Sequence, residues 1–120
     1  TAPSTTYFEY GDATLTYPAA TADALRSCIA KALEANAPIT IDAWTSYEGR
    51  LDGTGRPVEN PPADVKLSQA RAEAIRSVLT DRLGVPAANI ARVVGHGSDS
   101  QPDPDPRSAA NRVTVVRYTS

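Results

Sequence analysis

The apolar positions of this chain change period several times, and each change marks an element. Leu25, Cys28, Ile29, Ala32 and Leu33 stand at i, i+3, i+4, i+7 and i+8, which predicts one buried face of a helix running from Thr21 to about Ala35. Thr21 can cap that helix, and Asn36 with Pro38 stops it. From Ile39 to Ser46 the period drops to two. Ile39, Ile41 and Ala43 point one way and Thr40, Asp42 and Trp44 the other, the pattern of a half-buried strand. A second helical pattern covers Leu67 to Leu83 and closes on Gly84, with Pro86 just beyond. Three shorter runs read as strands: Tyr7–Tyr10 before the turn Gly11-Asp12, Ile90–Val94 before Gly95-His96-Gly97, and Arg112–Tyr118.

The resulting order is strand, helix, strand, helix, strand, strand. Two crossover helices must then pack on one mixed sheet, an α/β sandwich of two layers. Residues 1–6 read as the remnant of a linker, and residues 7–120 as a single domain. Two irregular stretches interrupt the pattern, residues 49–64 and 98–111. The first holds three Gly, three Pro and five charged residues, and a loop of that length in a compact domain is more often functional or mobile than inert.

Composition narrows the function classes. The 120 residues carry a formal charge of −2 with basic residues scattered singly, so there is no basic stripe for nucleic acid. No apolar run is long enough to cross a bilayer, and no signal peptide is visible in TAPSTTYFEY. The single cysteine, Cys28, leaves no intramolecular disulfide and sits in a helical apolar stripe, where a free thiol acts as a small hydrophobe. One histidine and one distant cysteine make no metal site, and Asp99, Asp103 and Asp105 lack calcium-loop spacing, so neither metal nor cofactor is expected.

Arg71 breaks local rules. On a helical wheel Leu67, Ala70, Ala74, Ile75, Val78 and Leu79 form the apolar stripe, and Arg71 falls in its middle. If Ser68 caps this helix, a capping box would want Glu or Gln at position 71, and a cation there opposes the helix dipole by about 0.3–1 kcal/mol. A guanidinium among core positions needs a partner or a path to solvent. Two readings satisfy it: a ligand carboxylate gripped bidentately, or an internal pair with an acid such as Asp42 or Asp64.

Across nearly its whole length the chain resembles the OmpA-like C-terminal domain, the peptidoglycan-associated module also found in Pal lipoproteins and MotB-type stator proteins. The resemblance rests on Phe8-Glu9-Tyr10-Gly11-Asp12-Ala13-Thr14-Leu15, Ile41-Asp42-Ala43-Trp44-Thr45-Ser46, Leu67-Ser68-Gln69-Ala70-Arg71-Ala72, Gly84-Val85-Pro86, Gly95-His96-Gly97 and Asn111-Arg112-Val113 in that order. It implies a non-catalytic module that anchors a parent envelope protein to the cell wall by holding the diaminopimelate of a peptidoglycan stem peptide. The implied location is extracytoplasmic, in the periplasm or on the wall side of the membrane. Arg71 would take the ligand carboxylate, and Arg112 matches the Arg that opens the last strand of the family. Thr45 matches a Thr followed in the family by an Asp that takes the ligand amine, but here Ser46 follows. Asp64, where the family often has Asn, is the favoured substitute, ahead of Glu48, Asp52 and Asp42. The missing Asp also motivates an alternative, a scaffold or protein-interaction domain that has lost or altered wall binding. A wall hydrolase would rest on His96 as general base, but a turn residue between glycines is the better reading, and no enzyme is expected. Trp44, on the polar side of its strand, is expected to cover the second layer rather than line the ligand site.

Overall fold

The computed structural model describes residues 3–48 and 50–118. Its main elements are β1 (Ser4–Tyr7), α1 (Pro18–Glu34), β2 (Ile39–Ala43), α2 (Pro61–Ser77), β3 (Ile90–Gly95) and β4 (Val113–Tyr118). The four strands form one mixed sheet in the order β1-β4-β2-β3, with β4 antiparallel to both its neighbours and β2 parallel to β3. Both helices bury their apolar faces on this sheet. Leu25 and Ile29 of α1 and Ala72 and Ile75 of α2 join Ile39, Ile41 and Ala43 in one core. The predicted two-layer α/β sandwich is thus the observed one.

Two boundaries differ from the sequence pattern, and both affect the site. The first strand lies over Ser4–Tyr7, pairing from Ser4↔Val116 to Tyr7↔Val113, so Ser4, Thr5 and Thr6 are sheet rather than linker. Of the aromatic run Tyr7–Tyr10 only Tyr7 lies in the strand; the chain leaves β1 after it, and the Phe8 ring turns into the core.

The second helix begins at Pro61, six residues ahead of Leu67. Its two leading prolines look like loop punctuation, yet the first helical turn tolerates proline, whose missing N–H has no intrahelical partner there. Asn60 occupies the cap position, and the Asp64 carboxylate reaches back to accept the Asn60 N–H at 3.1 Å. Ser68 is therefore an interior residue and not a cap. Arg71 lies about 2.8 turns into the helix, where the end of the dipole no longer opposes a cation. The C-terminal punctuation is as predicted. A π-helical turn over Val78–Arg82 follows α2, and Gly84, at φ 67°, ends the run.

The buried face of α2 is also not the stripe drawn from the sequence. Ala70 is exposed, and the first half of the helix buries Asp64, Ser68 and Arg71, with apolar burial taking over at Ala72 and Ile75. α2 thus meets the sheet through a polar half and an apolar half. The close approach of the polar half depends on Gly95, where a Cβ would stand 2.3 Å from the Gln69 backbone nitrogen and 2.6 Å from Ser68 Oγ.

Candidate ligand-binding site

The polar half of α2 faces the C-terminal ends of β2 and β3 and the segment that follows β1. Arg71 is wholly enclosed there, and its guanidinium uses all five N–H groups within the chain. Nε donates to the Asp12 carbonyl at 2.8 Å, Nη1 to the Trp44 carbonyl at 3.3 Å, and Nη2 to the Glu9 carbonyl at 3.0 Å. The remaining two donors form a fork onto Glu48, at 3.0 Å to Oε2 and 2.7 Å to Oε1. The Phe8 ring lies 5.4 Å below the guanidinium carbon, adding a cation–π contact.

Glu48 is equally enclosed and equally satisfied. Besides the two Arg71 donors, Oε1 accepts the Gly11 N–H at 2.5 Å and Oε2 the Ser46 N–H at 3.0 Å. Four N–H groups on one carboxylate make the kind of cradle usually found around a bound anion. The carboxylate that sequence reasoning assigned to a ligand, or to Asp42 or Asp64, is here supplied by Glu48. That pairing was not readable from the sequence, where Glu48 is one of several acids near the end of the second strand.

Ser46 touches this pair through its N–H, Thr45 precedes it in the chain, and Asp64 lies about two helical turns before Arg71 on α2. Thr45 N–H donates to the Gly97 carbonyl at 2.9 Å, and Gly97 N–H donates to Ser68 Oγ at 2.8 Å, tying β2, β3 and α2 together. Gly97 presses against the Asp64–Val65 backbone in a left-handed conformation, φ 63°, so residue 97 suits glycine on both counts. Thr45 Oγ1, Ser46 Oγ and Asp64 Oδ1 are all buried and all without a hydrogen-bond partner. Among the described residues only Thr114 Oγ1 shares that condition. Unpaired buried polar atoms are uncommon, and two on adjacent residues with a third at the start of α2 are a reason to look for a ligand. Burial pushes the Asp64 carboxyl above its ordinary value of 3.8, and the nearby acids Glu48 and Glu59 add to the rise.

A match to the OmpA family model covers residues 7–114. The chain belongs to the OmpA family. A search of curated proteins finds no match. Among solved structures, the peptidoglycan-associated lipoprotein from Burkholderia pseudomallei is 22% identical, with a TM-score of 0.70 over 96% of this chain and 89% of that one. The OmpA-like domain of FopA1 from Francisella tularensis subsp. tularensis SCHU S4 is 21% identical, with a TM-score of 0.71 over 97% of this chain and 74% of that one. The cell wall anchor of the T6SS from Pseudomonas aeruginosa is 19% identical, with a TM-score of 0.58 over 97% and 80%. Likeness at these identities establishes the OmpA-family fold.

Arg112 is held by the same segment after β1 that contacts Arg71. Its Nε donates to the Phe8 carbonyl at 2.9 Å, and it lines a cleft of about 310 Å³ with Tyr7, Glu9 and Ala109. His96 is more than a turn residue. Its Nε2 lies 2.7 Å from Asp42 Oδ1, which also pairs with Arg92, and its ring stacks on Trp44 with centroids 4.8 Å apart. Trp44 therefore lies across the sheet from the helices, where its Nε1 donates to the Asp99 carbonyl at 3.1 Å. The alternation that placed Asp42 and Trp44 on one strand face could have suggested this group. Among the described residues no cluster of metal-ligating side chains occurs, and no helix is long and apolar enough to cross a membrane.

Proposed function

We propose that this OmpA-family domain is a non-catalytic module that holds a larger envelope protein to peptidoglycan, on the extracytoplasmic side of the membrane, through the stem peptide. Thr45, Ser46 and Asp64 contact the ligand, Arg71 organises the pocket around them, and Arg112 stands at the neighbouring cleft. The observation that carries this reading is the trio of buried, unpartnered oxygens on Thr45, Ser46 and Asp64. A site evolved only for stability would leave few such atoms unmet, since each costs about 1–3 kcal/mol. Family membership and the fold shared with a peptidoglycan-associated lipoprotein and a cell wall anchor support the same reading.

One observation favours a second reading. A diaminopimelate carboxylate could reach Arg71 only by displacing Glu48, which would strand a buried charge. A scaffold domain that has given up the wall would keep this pair for its fold alone. Co-sedimentation with insoluble peptidoglycan separates the two. The wall-binding reading expects the domain in the pellet and Asp64→Asn largely in the supernatant. A wild-type domain that stays wholly in solution leaves the scaffold reading.

A further inference from the structure

The site as built has its carboxylate already in place, and what it lacks is a donor. Arg71 has no N–H left to give, and its charge is neutralised by Glu48 at hydrogen-bond distance. The unmet atoms are oxygens: the Asp64 carboxylate Oδ1 and the hydroxyls of Thr45 and Ser46. Hydroxyls can donate or accept, but a carboxylate oxygen only accepts.

A cleft opens next to Asp64, across Ser98 and Val65. Its volume is about 220 Å³, and it is lined by Glu59, Pro61, Val65, His96, Ser98 and Asp99. Ser98 connects it to the buried acid, since its hydroxyl donates to Glu59 Oε2 at 3.1 Å and also lies beside the Asp64 carboxyl. The walls contribute two carboxylates, Glu59 and Asp99, and Val65 is joined directly to Asp64. Arg112, whose Nε is spoken for by the Phe8 carbonyl, lines a different cleft that shares no residue with this one.

We infer that the site selects a primary ammonium with no free carboxylate beside it, the side-chain end of a diamino acid such as lysine or amidated diaminopimelate, because Glu48 occupies Arg71. This rests on the wall-binding reading and sharpens its ligand. An ammonium at the end of a flexible chain brings three donors into a pocket of acceptors beside Asp64, Glu59 and Ser98. A carboxylate attached to the same carbon would enter beside Glu59 and Asp99 with the donors of Arg71 already taken, and like charges at close range are disfavoured. Glu48 is then the specificity-determining residue, acting as an internal stand-in for the ligand group that the domain does not read.

Calorimetric titration of the domain with three muropeptides tests this: one ending in diaminopimelate with its free side-chain carboxylate, one with that carboxylate amidated, and one with lysine. The amidated and lysine peptides are expected to bind about tenfold tighter than the free-carboxylate peptide. Equal affinities, or tighter binding of the free carboxylate, overturn the inference while leaving wall binding intact. Failure of all three to bind removes the wall-binding reading and this inference with it. Glu48→Gln, which halves the acceptor capacity facing Arg71, is expected to move the preference toward the free-carboxylate peptide. The wild-type comparison decides the matter even where that variant does not fold.

Discussion

Arg71 and Glu48, 23 residues apart in the chain, meet as a bidentate pair at 2.7 and 3.0 Å with neither side chain exposed. A buried pair of this kind adds little net stability against an apolar replacement of both partners, because desolvation offsets most of the Coulomb gain. Breaking it from one side is another matter. Glu48→Ala leaves a guanidinium enclosed without a counter-charge, and a loss of about 3–5 kcal/mol is expected in urea unfolding at neutral pH. Arg71→Lys should also destabilise, since an ammonium cannot span the carbonyls of Asp12, Glu9 and Trp44 and fork onto Glu48 together. Midpoints within error of wild type for both variants would show that the pair is not held as described.

Asp64 gives stability a pH signature. Burial raises its folded-state proton affinity above the ordinary value of 3.8, so the folded state binds the proton more tightly than the unfolded chain. Its contribution is therefore most favourable below 3.8 and is lost as pH rises through the raised folded value. Asp64→Asn keeps an acceptor for the Asn60 N–H and removes the charge. The variant should gain on wild type as pH climbs from about 4 toward 7, measured as the difference in unfolding free energy. A difference that is flat across that range, or that shrinks, would contradict the assignment.

The same acid should govern ligand binding. An ammonium is held by the ionised form, so affinity for a lysine-type muropeptide should fall on acidification at a higher pH than an ordinary carboxyl at 3.8 would require. Titrations repeated at pH 7, 6 and 5 would read this, and an affinity unchanged to pH 4 would speak against Asp64 as the contact.

Gly95→Ala tests how closely α2 must approach the sheet. The added methyl would lie 2.3, 2.6 and 2.7 Å from Gln69 N, Ser68 Oγ and Gln69 Cα, two of them backbone atoms that cannot turn aside. A cost of about 1–3 kcal/mol is expected, with amide exchange of Gly97 accelerated as its bond to Ser68 Oγ loosens. A variant of wild-type stability would mean that helix and strand are further apart.

Asp52 organises the tip of the loop after β2. Its carboxylate accepts from Thr54 Oγ1, Arg56 N–H and Thr54 N–H, which hold its proton affinity down to about 2. The depressed value means that this support is present above the ordinary 3.8 and is lost as pH falls toward about 2. Asp52→Ala should speed hydrogen exchange at the Thr54 and Arg56 amides without moving the global midpoint. A fall in the midpoint comparable to that of Glu48→Ala would assign the loop a larger part in the fold.

The element order, the end near Gly84 of the helical run that α2 begins and the inward face of β2 were all legible in the chain itself. Helical and strand periods are local properties, and so is the stop written by Gly84 and Pro86. The oddity of Arg71 was legible too, since a cation on an apolar stripe is visible on a wheel. Its partner was not. Asp42 and Asp64 were equally available on paper, but Asp42 faces the other side of the sheet with His96 and Arg92, and Asp64 turns back to Asn60. Only the path of the chain after Ser46 brings Glu48 beneath Gly11 and Arg71. The sequence thus determined that a buried guanidinium must be answered, because desolvated charge is costly wherever it lies. Which carboxylate answers it, and so which half of the site stays open, was decided by the tertiary packing of three segments far apart in the chain.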